Sequence, residues 1–141
     1  MPLVSVTRLH LRSARFIPPF FWYTGRSFLQ AKRSPGNIRV TTTRDASGAF
    51  WTLTAWMDEP SMKSFMLSGA HRRAMPKLRN WCDEASVVHW TQPDSNLPSW
   101  GEAMDRMVRE GRTSKVDHPS PAQTSGQIPA SPPLARESST R

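Results

Sequence analysis

FWTLTAWMDEPSMKSFMLSGAHRRAMPKLRNWCDEASVVHW, residues 50–90, decides the fold. An alternating, β-rich run over 49–57 opens it, with Trp51, Leu53, Ala55 and Met57 on one face and Phe50, Thr52, Thr54 and Trp56 on the other. Asp58-Glu59-Pro60 then carries helix-start signals, acids in the first turn and a proline near the start. Met62, Phe65 and Met66 supply the buried face of that helix, and Ser68-Gly69 interrupts it. A second helical segment is expected from about His71 to Trp81, with Pro76 as a kink or a new turn. Its inward stripe is Ala74, Leu78 and Trp81, or else Met75, Leu78 and Cys82. Residues 85–92 (ASVVHWTQ) return as a strand.

Outward from this stretch, residues 3–11 alternate as a strand, with Leu3, Ser5, Thr7, Leu9 and Leu11 on one face and Val4, Val6, Arg8 and His10 on the other. Ser13 is a candidate cap for a helix from about Pro18 to Lys32, where prolines suit the first turn. Its apolar stripe is read as Phe21, Thr24, Gly25 and Phe28, with Trp22 and Leu29 beside it. Residues 37–44 (NIRVTTTR), the turn Asp45–Gly48 and the 49–57 strand make a hairpin. The order is β-α-β-β-α-β, a ferredoxin-like α+β fold with a split second helix. Both faces of the 49–57 strand carry large apolar groups, so cover is expected on both sides. Helices supply one cover. A partner subunit is the economical source of the other, which predicts a homodimer through the sheet.

Three parts are expected along the 141 residues: a ferredoxin-like domain over 1–96, a C-terminal helix over 97–112 and a tail over 113–141. The helix, Ser99 to Arg112, shows a thin stripe of Trp100, Met104, Met107 and Val108. The tail is rich in Pro, Ser, Thr and Gln, and its few apolar residues cannot offset its ordering entropy, so it is expected to be disordered.

The net charge is +8. Residues 1–96 hold thirteen Lys/Arg against six Asp/Glu, yet the cations are scattered rather than clustered, which argues for a solvated surface and against a nucleic-acid site. Cys82 is the sole cysteine, which excludes an intrachain disulfide and suits a reducing, cytoplasmic setting. No signal peptide and no membrane span are expected, the longest N-terminal apolar run being broken by Pro18-Pro19.

Trp56, Asp58, Phe65, Ser68, Ala70 and His71 reproduce a strand ending in Trp-x-Asp, a helix with an inward Phe, and Ser-x-Ala-His opening a second helix. This pattern resembles the antibiotic-biosynthesis-monooxygenase-like group of dimeric α+β barrels. The continuation HRRAMPKLRNWCDEASVVHW resembles an uncharacterised bacterial subfamily of it, distantly related to spheroidene monooxygenase. The resemblance covers roughly residues 3–92 and implies two sheets packed face to face, each with a cavity between sheet and helices. It also implies a range of activities. Some members oxidise aromatic substrates without metal or flavin, others bind or degrade haem, and many have no known activity. The haem-degrading members use an Asn on strand one and a Trp and His on the second helix. Here strand one lacks Asn, Phe65 stands where the Trp is expected, and His71 is shifted by about a turn. No cofactor is therefore expected, haem being the one that the resemblance leaves open.

The functional expectation is a monooxygenase-like protein acting on, or binding, a hydrophobic or aromatic small molecule. The alternatives are a non-catalytic ligand-binding or interaction protein on the same fold and, third, a basic nucleic-acid-associated protein. His71 and His89 are the catalytic candidates, since a neutral imidazole serves as base or ligand. Thr52, Thr54 and Trp56 are the substrate-binding candidates, a mixed polar and aromatic face of the kind that a ligand cavity needs. No metal site is expected, because the histidines lack ligand spacing and no Cys or carboxylate cluster joins them. Cys82, beside Trp81 on an inward helical stripe, reads as inert core.

Overall fold

The structure, a computed structural model, describes residues 1–94 and 96–129. Its elements are β1 (Leu3–Leu11), a 3-10 turn (Ala14–Phe16), α1 (Ile17–Arg33), β2 (Asn37–Arg44), β3 (Phe50–Trp56), α2 (Glu59–Met66), α3 (Gly69–Trp81), β4 (Cys82–Thr91), α4 (Trp100–Glu110), β5 (Arg112–Thr113) and α5 (Pro121–Thr124). The fold is α+β, with five strands in the antiparallel order β2-β3-β1-β4-β5. The first four reproduce the ferredoxin-like arrangement. Ser13 caps the 3-10 turn rather than α1, and Asp58 caps α2 by accepting from the Ser61 amide.

One sheet face carries α1, α2 and α3. Against it Leu3, Ala31, Trp56, Met62 and Phe65 form one cluster. The buried stripe of α1 is Phe20, Ser27 and Ala31, while Phe21, Trp22 and Leu29 stand exposed. Of the expected stripe, Thr24 and Phe28 face the cavity between helix and sheet, while Phe21 and Gly25 are exposed. Aromatics at 20 to 23 offer almost every helical direction an apolar candidate; Phe20 and Phe21 both meet Phe50, at 4.8 and 5.4 Å between ring centroids, and Phe20 is the one that is buried. On α3 the stripe is the first of the two alternatives, with Ala74 buried and Leu78 and Trp81 half-buried.

The other sheet face carries α4. Val4, Val6, Trp51, Leu53 and Val88 pack against Ala103, Met104 and Met107. The second cover expected from a partner subunit is therefore supplied by the chain itself. Ser99 and Glu102 form a capping box that starts α4 in the right place, and Trp51 meets Trp100 edge-on at 6.5 Å. Full burial of Trp51 removes on the order of 200 Å² from water. At roughly 25 cal/mol per Å² that is about 5 kcal/mol as an upper bound.

Cys82 starts β4, opposite Leu11, and not the helical stripe on which it was expected. It is fully buried with Ala85 and Val116. Part of the stretch that composition marks as a tail has a place here. Ser114 N–H donates to Ala85 O at 2.8 Å, Asp117 N–H to Arg79 O at 2.9 Å and Ser120 N–H to Asp83 O at 3.0 Å, laying 112–120 against the β4 edge and the end of α3. The remainder of that expectation, 130–141, lies outside the described residues. No helix among the described residues is long and apolar enough to cross a membrane.

Candidate functional site

Between the sheet and α1–α3 lies a cavity of about 280 Å³. Its floor follows from strand register. In antiparallel pairs the directly opposed residues share a face, and two rows cross the sheet as Thr54–Ser5–His89 and Thr52–Thr7–Val87. Four hydroxyls thus lie side by side under an apolar roof that includes Phe28, Phe65, Ala74 and Leu78. Such a floor can hydrogen-bond the oxygen atoms of a ligand while the roof removes its rings from water.

His71 stands at the α2–α3 break. Gln30 of α1 organises that break: its Nε2 donates to Ser68 O at 2.7 Å and Phe65 O at 3.2 Å, while its Oε1 accepts from the His71 amide at 2.8 Å. Gly69 makes the turn at φ +61, a left-handed conformation that favours glycine. The His71 ring packs 4.6 Å from Phe65, and Phe65 stacks on Trp56 at 5.2 Å. Burial lowers the His71 pKa below its ordinary 6.5, against a smaller opposing pull from the Met66 carbonyl. Nδ1 lies 3.3 Å from that carbonyl. A carbonyl only accepts, so the proton belongs on Nδ1 and the lone pair on Nε2. The residue is an imidazole with its neutral form favoured, and it lines the cavity.

Of the other expected site residues, Thr52, Thr54 and His89 line the same cavity as His71. His89 is exposed at its mouth. Its pKa is lowered by partial burial and then by the Arg112 charge, with Glu59 pulling the other way. Trp56 shares the Thr52/Thr54 face, but it sits one row further along, opposite Leu3, fully buried among Met62 and Phe65 and outside the lining. Its Nε1 has no hydrogen-bond partner among the described residues. Ser5 and Thr7 were not singled out from the sequence, although strand alternation had already placed them on the Leu3/Leu9 face. Arg112 needs the β5 pairing, Val87 opposite Arg112, before it belongs to the cavity at all.

A second polar centre lies apart from the cavity. Arg8 is 2% exposed and Asp45 fully buried. Arg8 Nη1 donates to Glu84 Oε1 at 2.6 Å, and its Nε lies 3.8 Å from Asp45 Oδ2. Asp45 also accepts from the Trp51 indole at 2.9 Å, from Ser47 Oγ at 2.6 Å and from the Ala49 amide at 3.0 Å. Burial pushes the Asp45 carboxyl up, but the hydrogen bonds from Ser47, Trp51 and Ala49, with the Arg8 charge, outweigh it and hold the pKa below 3.8. Glu84 is lowered in the same way, burial being overcome by bonds from Arg8 and Ser120. Among the described residues Arg8 Nε has no hydrogen-bond partner, but the two carboxylates are held by internal partners, so the centre ties the β2–β3 turn and the 112–120 segment to β1 and β4. His10 adds a bond from Nδ1 to Asp83 Oδ1 at 2.7 Å nearby.

Burial, and then the Asp83 charge, push the Cys82 thiol up to about 12, far from a nucleophile's range. Among the described residues no three His, Cys, Asp or Glu side chains gather as a metal-holding group. His71 Nε2 is of the type that ligates haem iron. The cavity, however, sits at or below the low end of ligand pockets, about 300 Å³, a space for one or two rings. That volume is small for a porphyrin.

The family model for "Domain of unknown function (DUF3291)" matches residues 19–116. No curated protein matches the chain. Among solved structures, the chain is similar to SnoaB of Streptomyces nogalater, a cofactor-independent oxygenase. That pair shares 17% identity at a TM-score of 0.55, covering 67% of this chain and 95% of that one. It is also similar to Rv0793 of Mycobacterium tuberculosis, with 9% identity, a TM-score of 0.61, and 69% and 100% of the two chains covered. An antibiotic biosynthesis monooxygenase follows with 13% identity, a TM-score of 0.58, and 65% and 99% covered. At these identities the likeness establishes the fold, which is that of the antibiotic-biosynthesis-monooxygenase-like group.

Proposed function

This chain belongs to the DUF3291 family, and we propose that it is a monooxygenase-like protein that binds a hydrophobic or aromatic small molecule between its sheet and α1–α3. The observation that carries the reading is the pairing of a neutral, desolvated His71 with a floor of four hydroxyls inside one small cavity. Likeness of fold to a cofactor-independent oxygenase supports the oxidative half of it.

In this reading His71 Nε2 takes an acidic proton from a ring CH₂ or phenolic OH of the bound molecule. The resulting electron-rich anion reduces dioxygen itself. A CH₂ becomes C=O and the second oxygen atom leaves as water with the two hydrogens of that carbon, so the substrate supplies all four electrons that dioxygen takes up. Thr52, Thr54, Ser5 and Thr7 hold the substrate oxygens, and the roof keeps water from the anion. His89, at the mouth, contacts the ligand as it enters. The reading needs one chain only, because α4 occupies the sheet face on which the resemblance would seat a second subunit.

The test is a panel of one- and two-ring phenols and ketones, followed by calorimetric binding and by oxygen uptake. Saturable binding with oxygen uptake that falls to the protein-free rate in His71→Ala supports the oxygenase. Binding that survives this substitution, with no uptake in either protein, leaves the non-catalytic ligand-binding alternative. No binding by any member overturns both.

A further inference from the structure

Among the described residues, those lining the cavity include no carboxylate, yet they include three cations, Arg79, Arg112 and Lys115. All three stand on the side of the cavity walled by β4 and the 112–116 segment. Arg79 is engaged by Asp117 at 3.3 Å. Arg112 and Lys115 form no ion pair among the described residues. The Arg112 position is fixed by backbone pairing with Val87, two residues from His89, and antiparallel register points its side chain to the cavity face of the sheet. Lys115 follows Ser114, whose amide is anchored on Ala85 O at 2.8 Å, and precedes Val116, which is buried against Cys82 and Ala85. The segment is thus pinned on both sides of the lysine.

Charge also acts on the neighbour. The Arg112 charge bears on His89 strongly enough to help lower its pKa, so its field reaches the mouth. The one acid felt there, Glu59, is turned to Lys63 at 3.8 Å and is not among the lining residues. A cavity that is apolar on its roof, hydroxylated on its floor and cationic along one wall is suited to a particular ligand class.

Building on the reading of the cavity as a ligand site, we propose that its ligand is an organic acid: a one- or two-ring molecule whose carboxylate lies at Arg112 and Lys115 while its ring system runs under the α1–α3 roof. The guanidinium can take the carboxylate as a two-pronged hydrogen-bonding partner, and the lysine adds a point charge. Neutral analogues forfeit this pairing but keep the burial of their rings. Selectivity for acids is therefore separable from affinity for rings.

The probes are 2-naphthoate and its neutral isostere 2-naphthamide, titrated calorimetrically into the full chain at low and moderate salt. The expected result is naphthoate binding about fivefold or more tighter than naphthamide at low salt, an advantage that shrinks as salt screens the pair. In Arg112→Gln/Lys115→Gln, two exposed positions, the advantage disappears while naphthamide affinity is retained. Equal affinities in the wild-type chain, or an advantage unchanged in the double variant, overturn the proposal and leave the cavity reading in place. Failure of both compounds to bind overturns the two together. Circular dichroism of the double variant identical to wild type confirms that the change is local.

Discussion

The two faces of this sheet differ in what they are filled with. On the α4 face, Val4, Val6, Trp51 and Leu53 are at most 1% exposed and pack directly against helix side chains. On the α1–α3 face the same two strands, β1 and β3, present Ser5, Thr7, Thr52 and Thr54 to about 280 Å³ of space. The strands are identical, and the parity of each position decides its duty. At the centre of the sheet, Ser5, Thr7, Thr52 and Thr54 are small and hydroxylated toward the cavity, while Val4, Val6, Trp51 and Leu53 beside them are apolar and buried toward α4. Stability and ligand chemistry are thus separated by one step along the chain, and substitutions should reveal the separation.

The largest expected effect comes from removing the α4 cover. A chain ending at residue 98 exposes Trp51 and Leu53, and it should lose its cooperative thermal transition by circular dichroism. A truncated chain that instead stays folded as a dimer in light scattering would show that this face also serves a second copy. Next, Arg8→Ala strips the buried Asp45 and the half-buried Glu84 of their counter-charge and should cost about 3–5 kcal/mol in urea unfolding, with Arg8→Met losing less stem packing. Met107→Ala, on a fully buried side chain, should cost about 2–5 kcal/mol. By contrast, Thr7→Val on the cavity floor should shift stability by about 0.5 kcal/mol or less while weakening ligand binding. A loss from Thr7→Val as large as that from Met107→Ala would erase the distinction between the faces.

The pH dependence sharpens the same contrast. The folded His71 pKa lies below the unfolded value, so below about pH 6.5 the unfolded chain binds the proton first. Stability attributable to His71 is complete above that pH and declines as pH falls toward the folded value. His71→Gln should flatten this limb in denaturation midpoints measured from pH 7 down to 5. Asp45 and Glu84 act at lower pH. Their folded pKa values are depressed, so their contribution is present above the ordinary carboxylate range and is lost on further acidification. The smallest effect is chemical: the native Cys82 thiol should not react with a disulfide reagent at pH 8, and it should react fully in denaturant.

Element order, the split of the second helix and the cavity-facing threonines were legible in the sequence, because strand alternation and helix punctuation are local signals. The place of α4 was not. The Met104/Met107 stripe announces a buried face without saying what it is buried against, and only the tertiary structure sets it on Trp51. By composition alone the buried Arg8 is indistinguishable from the scattered surface charges. Its position on the Val4/Val6 face was the available clue, and the Asx-type turn at Asp45–Gly48 was the other half. His71 and His89 were found as residue types at suggestive positions. Their shared cavity depends on β1 lying between β3 and β4, and on Gln30, a residue 41 positions from His71 whose role is visible only in three dimensions.

The two margins of the sheet carry a consequence for behaviour in concentrated solution. At one margin the terminal strand, β5, is only two residues long; at the other, β2 carries Arg39 and Arg44 and an irregular register between Asn37 and Arg39. Short strands, cations and bulges are the features that deny a stray chain a template on which to add another strand. A protein with an open, polar-floored chamber at its centre thereby remains a poor seed for fibrillar growth, even though β3 by itself is an apolar, aromatic-rich heptapeptide of the kind that would stack if left bare.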